Sequence, residues 1–173
     1  MNTAADEPLR TPPLPAPMSA RRADAWRTVL LAGCAAATID IVFAFVFFGA
    51  LAGVTPQRVL QSVASGLYGA ASFEGGVTTA TVGLIAHYCI LIIAAWFYYL
   101  ASLRLPVLNR RALICGVLFG LAIYVAMTFV IVPLSAAPSR PLRLSVASVG
   151  QFLIHPFLGL AIALIVRRAS TAR

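Results

Sequence analysis

The chain has 173 residues, 61% of them hydrophobic and only 10% charged, with a net charge of +8 and a mean hydropathy of +0.92. That composition lies outside the range of soluble domains, and the length suits one four-helix bundle with no added soluble domain. All 13 cationic residues are arginines that flank apolar runs without interleaved aromatics, which argues against nucleic acid and for anionic lipid headgroups as partners.

Residues 1–27 read as a disordered cytoplasmic tail. The segment Thr11-Pro12-Pro13-Leu14-Pro15-Ala16-Pro17 favours polyproline II and cannot build a core. The apolar run that follows, residues 28–53, far exceeds a signal-peptide core of about 7–15 residues and is read as a retained anchor. Arg21-Arg22 is followed by Ala23-Asp24-Ala25, where a twin-arginine signal needs apolar residues.

Three further runs, residues 78–102, 112–134 and 145–166, also reach the roughly 20 residues that a helix needs to cross a bilayer core. The expected fold is therefore all-α: a polytopic membrane protein with four transmembrane helices bundled over residues 28–168, and a short tail at 169–173. Between the first two spans, Thr55 is a natural N-cap and Pro56 a natural first helical residue. Residues 56–69 should form a short interfacial helix whose apolar face is Val59, Leu60, Val63 and Leu67, with Arg58, Gln61, Ser62 and Ser65 elsewhere. A re-entrant segment is the alternative. Glu74 is expected near Arg58 at headgroup level. The link 103–111 is a short turn broken by Pro106, which predicts that spans two and three are neighbours. Span three should stop at Pro133, and residues 135–144 form an outer loop with Pro138 and Pro141. Arg167-Arg168 close span four and suit the negative end of its helix dipole.

The arginines also predict orientation. Arg10, Arg21, Arg22, Arg27, Arg104, Arg110, Arg111, Arg167, Arg168 and Arg173 fall on one side, and Arg58, Arg140 and Arg143 on the other. The positive-inside rule then places both termini in the cytoplasm of a bacterial inner membrane, with Trp26, Trp96, Tyr98 and Tyr99 as the aromatic belt there.

Inside the spans lie three ionisable groups of interest: Asp40, His87 and His155. Asp40 falls about 18 Å into span one, near mid-bilayer. A carboxylate there marks a proton or cation site, or else it is a protonated group gluing helices together through Thr38 or Gln151. His155 has a similar depth, whereas His87 is expected about 8 Å nearer the outer face. Pro156 should free the carbonyl of Phe152. Asp40, His87 and His155 also have the ligand types of a two-histidine, one-carboxylate metal site. Alternatively, His87 and His155 could clamp a haem, with Gly83 and Gly159 leaving room for the macrocycle. Nothing in the spacing enforces either geometry, and no cofactor is assigned.

Gly49-x-x-x-Gly53 and Gly116-x-x-x-Gly120 are read as helix-packing motifs, within the chain or in a homo-oligomer. Cys34, Cys89 and Cys115 have no metal or redox spacing and read as packing residues. A duplication is hinted at, because Leu84-Ile85-Ala86-His87 is similar to Phe152-Leu153-Ile154-His155. Asp40 then falls opposite Met127. No G-x-S-x-G, H-E-x-x-H or Walker sequence is present, so a non-enzymatic protein is expected.

From span two onward, the His87 helix with Tyr98-Tyr99, the Pro106 turn and the glycine-spaced third helix ending Val132-Pro133-Leu134 follow one another. Ser148-x-x-Gln151-x-x-x-His155 and Arg167-Arg168 then complete an order of features that resembles the YagU-like family of small bacterial inner-membrane proteins. The likeness covers about half the chain and leaves out span one. It implies a location and a topology, and no mechanism. The leading expectation is proton- or cation-linked transport or membrane homeostasis. A structural or accessory subunit is the alternative, and a haem- or metal-bearing redox protein the outsider.

Overall fold

The computed structural model describes residues 18–138 and 145–171, with side chains from Arg22 onward. The proline-rich segment 11–17, the loop 139–144 with Arg140, Pro141 and Arg143, and Arg173 lie outside the described residues. Helix α1 spans Met18–Ala52, α2 Pro56–Tyr68, α3 Gly76–Arg104, α4 Pro106–Arg110, α5 Ala112–Ala126, α6 Val132–Leu134 and α7 Val146–Thr171. A 3₁₀ turn, Gly69–Phe73, precedes α3, and a π-helical turn, Met127–Ile131, joins α5 to α6.

Four stretches are long and apolar enough to cross a membrane: Arg22–Ala52, Gly76–Arg104, Ala112–Leu134 and Val146–Thr171, with mean hydropathies of 2.3, 2.0, 2.5 and 2.1. The protein is an all-α, multi-pass membrane protein. Three of the helices outrun their apolar runs at one end or both. Helix α1 starts at Met18, inside the stretch expected to be disordered, because Met18, Ala20, Arg21, Arg22, Ala23 and Ala25 are good helix formers and no glycine or proline intervenes. Helix α7 likewise continues past Arg167-Arg168 to Thr171. The arginine-rich ends of both helices thus extend beyond the apolar layer.

Helix α2 forms where Thr55 and Pro56 predict it. Thr55 Oγ1 accepts the backbone N–H of Arg58 at 3.3 Å, and Gly69 (φ 60°) ends the helix by donating to the carbonyl of Ser65. Its inward face differs from the expected one. Val59 is buried with Gln61, Ala64 and Ser65, while Leu67 is 61% exposed. The reason lies in α3. Gln61 Nε2 donates to the Gly76 carbonyl at 3.0 Å, and Gly83 has no side chain to hold off the backbone of Leu60 and Ala64. Arg58 donates to the carbonyl of Phe73, the residue before Glu74, at 3.2 Å and lies over the Phe73 ring.

The spans pack in a row, α5 on α7, α7 on α1, α1 on α3, with α2 covering the far half of α3. Spans two and three are therefore not lengthwise neighbours. They meet where the rings of Tyr98 and Phe119 approach to 4.9 Å, because the small residues of α5 face α7 instead. Only Ala112, Gly116 and Gly120 of α5 are buried. The main core, built around Val29, Ala36, Leu91, Ala95, Leu158 and Ile162, fills the arginine-rich half. Tyr98 and Tyr99 belong to it, 2% and 7% exposed, whereas Trp26 and Trp96 face outward. The aromatic belt thus loses its two tyrosines: Tyr98 turns inward and donates to the Leu108 carbonyl in the α4 link. Cys89 faces outward as well, while Cys34 and Cys115 are half-buried.

Candidate functional site

Helix α1 carries a stripe of small residues, Ala32, Gly33, Ala36 and Ala37, so α3 can approach until Gly33 lies against the backbone of Ile92. This close approach brings His87 onto α1. His87 is 6% exposed, and its Nε2 lies 3.0 Å from the Ala37 carbonyl, so that this nitrogen carries the proton and donates. The same nitrogen is 4.0 Å from Asp40 Oδ2. Asp40 Oδ1 is buried with no hydrogen-bond partner in the protein.

The two groups share one level. Asp40 is about 18 Å below the α1 end at Ala52, and His87 about 16 Å below the α3 start at Gly76. Measured from these outer helix ends, the expected depth difference disappears. His155 lies on α7, the helix that packs against α1. It is 7% exposed, its Nδ1 donates to the Gln151 carbonyl at 2.6 Å, and its ring stands edge-on to Tyr124 at 5.3 Å.

Neither partner expected for Asp40 bonds it. Thr38 Oγ1 bonds the Cys34 carbonyl at 2.8 Å and the Tyr88 hydroxyl at 2.9 Å. Gln151 takes part through its backbone carbonyl, to His155. Phe152 points outward, half-exposed, with its ring against Tyr124. Asp40 therefore sits in a polar layer without being fastened by it. Above that layer, α2 contributes Val59 to a small apolar cluster with Ile41 and Ala44. Below it lies the main core.

The glycines divide into two kinds. A side chain on Gly116 would meet Leu160 and Ala163, and one on Gly120 or Gly159 would collide with the backbone of the opposite helix. These three make the α5–α7 crossing. Gly49 and Gly53 do not bring two helices of this chain together. A side chain on Gly53 (φ 61°) would meet nothing, and Gly53 terminates α1 with its N–H on the Gly49 carbonyl at 2.9 Å. Gly83 and Gly159 leave no slot for a macrocycle, since the backbones of α2 and α5 fill the space beside them. Among the described residues, no three His, Cys, Asp or Glu side chains converge as metal ligands would.

Sequence reasoning missed Gly33, Ala37 and Tyr124. The small-residue stripe was the available signal for the first two. They also sharpen the internal repeat. Gly33 lies against Ile92, five residues past His87, and Gly116 against Leu160, five residues past His155. In that register Asp40 corresponds to Ile123, one turn before the Met127 expected from sequence. The chain matches no protein-family model, no curated protein and no solved structure.

Proposed function

We propose that this is a non-enzymatic protein of the bacterial inner membrane, both termini cytoplasmic, in which Asp40 is the centre of proton- or cation-linked transport serving membrane homeostasis. His87 and His155 are its partners. One observation carries the reading: Asp40 Oδ1 is buried without a partner, and the nearest cationic candidate, His87, is 4.0 Å from the other oxygen. A carboxyl group retained as glue would be hydrogen-bonded across helices, because that bond is its only contribution. A mid-span carboxylate costs about 3 kcal/mol, and an unpaired buried oxygen about 1–3 kcal/mol. A group that costs this much without fastening anything is kept for what it binds.

The resemblance to the YagU-like family supports the same location and topology. The arginine-rich end, carrying Arg22, Arg27, Arg104, Arg110, Arg111, Arg167 and Arg168, suits anionic headgroups of the inner leaflet. Terminal reporters active only outside the cytoplasm should be silent at both ends; a signal from a C-terminal fusion would invert the topology. For the function, purified protein in liposomes on a solid-supported membrane should give a current under an imposed ion gradient. Asp40→Asn should abolish it while leaving helicity and size unchanged. Equal currents would remove Asp40 from the pathway, and no current above empty liposomes from either protein would leave the structural-subunit reading, which the bonds of His87 Nε2 and His155 Nδ1 to backbone carbonyls favour.

A further inference from the structure

We infer that the cation taken by this site is the proton itself, not a metal cation. This deepens the transport reading and rests on it. The donor set decides. Hard cations such as sodium, magnesium or calcium replace their water shell with about six oxygens, and Asp40 supplies two of them. Of the other oxygens on this stretch of α1, the Ala37 carbonyl is bonded to His87, and the Thr38 hydroxyl to Cys34 and Tyr88. Transition metals take three or more nitrogen, sulfur or carboxylate ligands at about 2 Å, and no such group converges among the described residues. A proton needs one lone pair. Asp40 Oδ1 offers one that nothing in the protein occupies.

The surroundings also suit proton exchange. From α3, Asp40 is faced by His87, and α7, which packs on α1, carries the second histidine, His155; α2 brings the apolar Val59 to the layer above. Tyr124 of α5 touches His155, and Tyr88 of α3 closes the Thr38 bond beside the site. His155 uses Nδ1–H as a donor to Gln151, so its neutral tautomer keeps an acceptor at Nε2. The step is simple in its balance. A proton adds to an Asp40 oxygen, forming one O–H bond and removing one negative charge. It leaves to an imidazole nitrogen or to water, with no electron transferred.

The test uses the full-length protein in liposomes holding a lumenal pH dye, with sodium, potassium or choline as the external salt. An external acid pulse should acidify the lumen equally in all three salts. Asp40→Asn should acidify at the rate of empty vesicles, and Asp40→Glu should retain a slower flux. Asp40-dependent uptake of sodium, potassium or magnesium without lumenal acidification would overturn the proton assignment and keep the transport reading. No Asp40-dependent movement of any ion would overturn transport. Infrared difference spectra then decide on binding alone: subtracting the acidification spectrum of Asp40→Asn from that of the wild type cancels the other carboxyl groups and should leave one protonated-carboxyl band. If no band survives the subtraction at any pH, the proton site is overturned too.

Discussion

The two helix hairpins are built alike and used differently. In each, a histidine lies one and a half turns before the residue on which a glycine of the preceding span rests, Gly33 on Ile92 and Gly116 on Leu160. In the first hairpin the histidine turns across the crossing to the Ala37 carbonyl and to Asp40. In the second it turns along its own helix to Gln151, and the position matching Asp40 is Ile123, packed on the main core. The second hairpin also has the tighter contact, since Gly120 and Gly159 let α5 and α7 meet backbone to backbone. One crossing is closed and apolar; the other leaves room for an acid. A scaffold held by small residues can thus admit one costly group, provided a neighbouring crossing supplies the rigidity.

The largest effect that would break this comparison is on activity. Asp40→Asn should give no current, and adding Ile123→Asp to it should not restore one, because His155 directs its proton at Gln151 and not across the crossing. Recovery would mean that the hairpins are interchangeable. Next comes the acid itself in the wrong hairpin. Ile123→Asp in the wild type should lower stability by about 3 kcal/mol, the cost of a carboxylate at mid-span, measured by unfolding in mixed micelles. Gly120→Leu should cost about 1–3 kcal/mol through overpacking against His155 and Pro156, and Gly33→Leu a similar amount against Ile92. Gly53→Ala costs less, because only its left-handed backbone resists it. The smallest effect belongs to Thr38→Val, which loses one interhelical bond to Tyr88 worth about 0.6 kcal/mol.

What could be read from the sequence follows from what each signal is. Run length announces a span, so the four crossings were legible, and Thr55-Pro56 announced α2 through capping chemistry. Neighbour order was not legible. A helix that is apolar all round has no polar face to give its rotation, so nothing in span three told that Ala112, Gly116 and Gly120 would turn to α7 and not to α3. The face of α2 was misjudged for a related reason. Gln61 is drawn inward by one backbone carbonyl at the start of α3, a partner that periodicity cannot show. Asp40 was legible as a residue of interest, since charge within an apolar run is visible. That neither Thr38 nor Gln151 bonds it depends on rotamers and crossings, which the sequence does not carry.

The central claim is that Asp40 is kept for binding and contributes nothing to holding the helices together. The unfolding free energy of Asp40→Leu against the wild type tests it most directly, measured in the same micelles at a pH where carboxylates are ionised. Removing an unpaired mid-span acid should leave stability unchanged or raise it by up to about 3 kcal/mol. A loss of about 1 kcal/mol or more, the worth of a good interhelical hydrogen bond, would show that Asp40 fastens the bundle and would contradict the account.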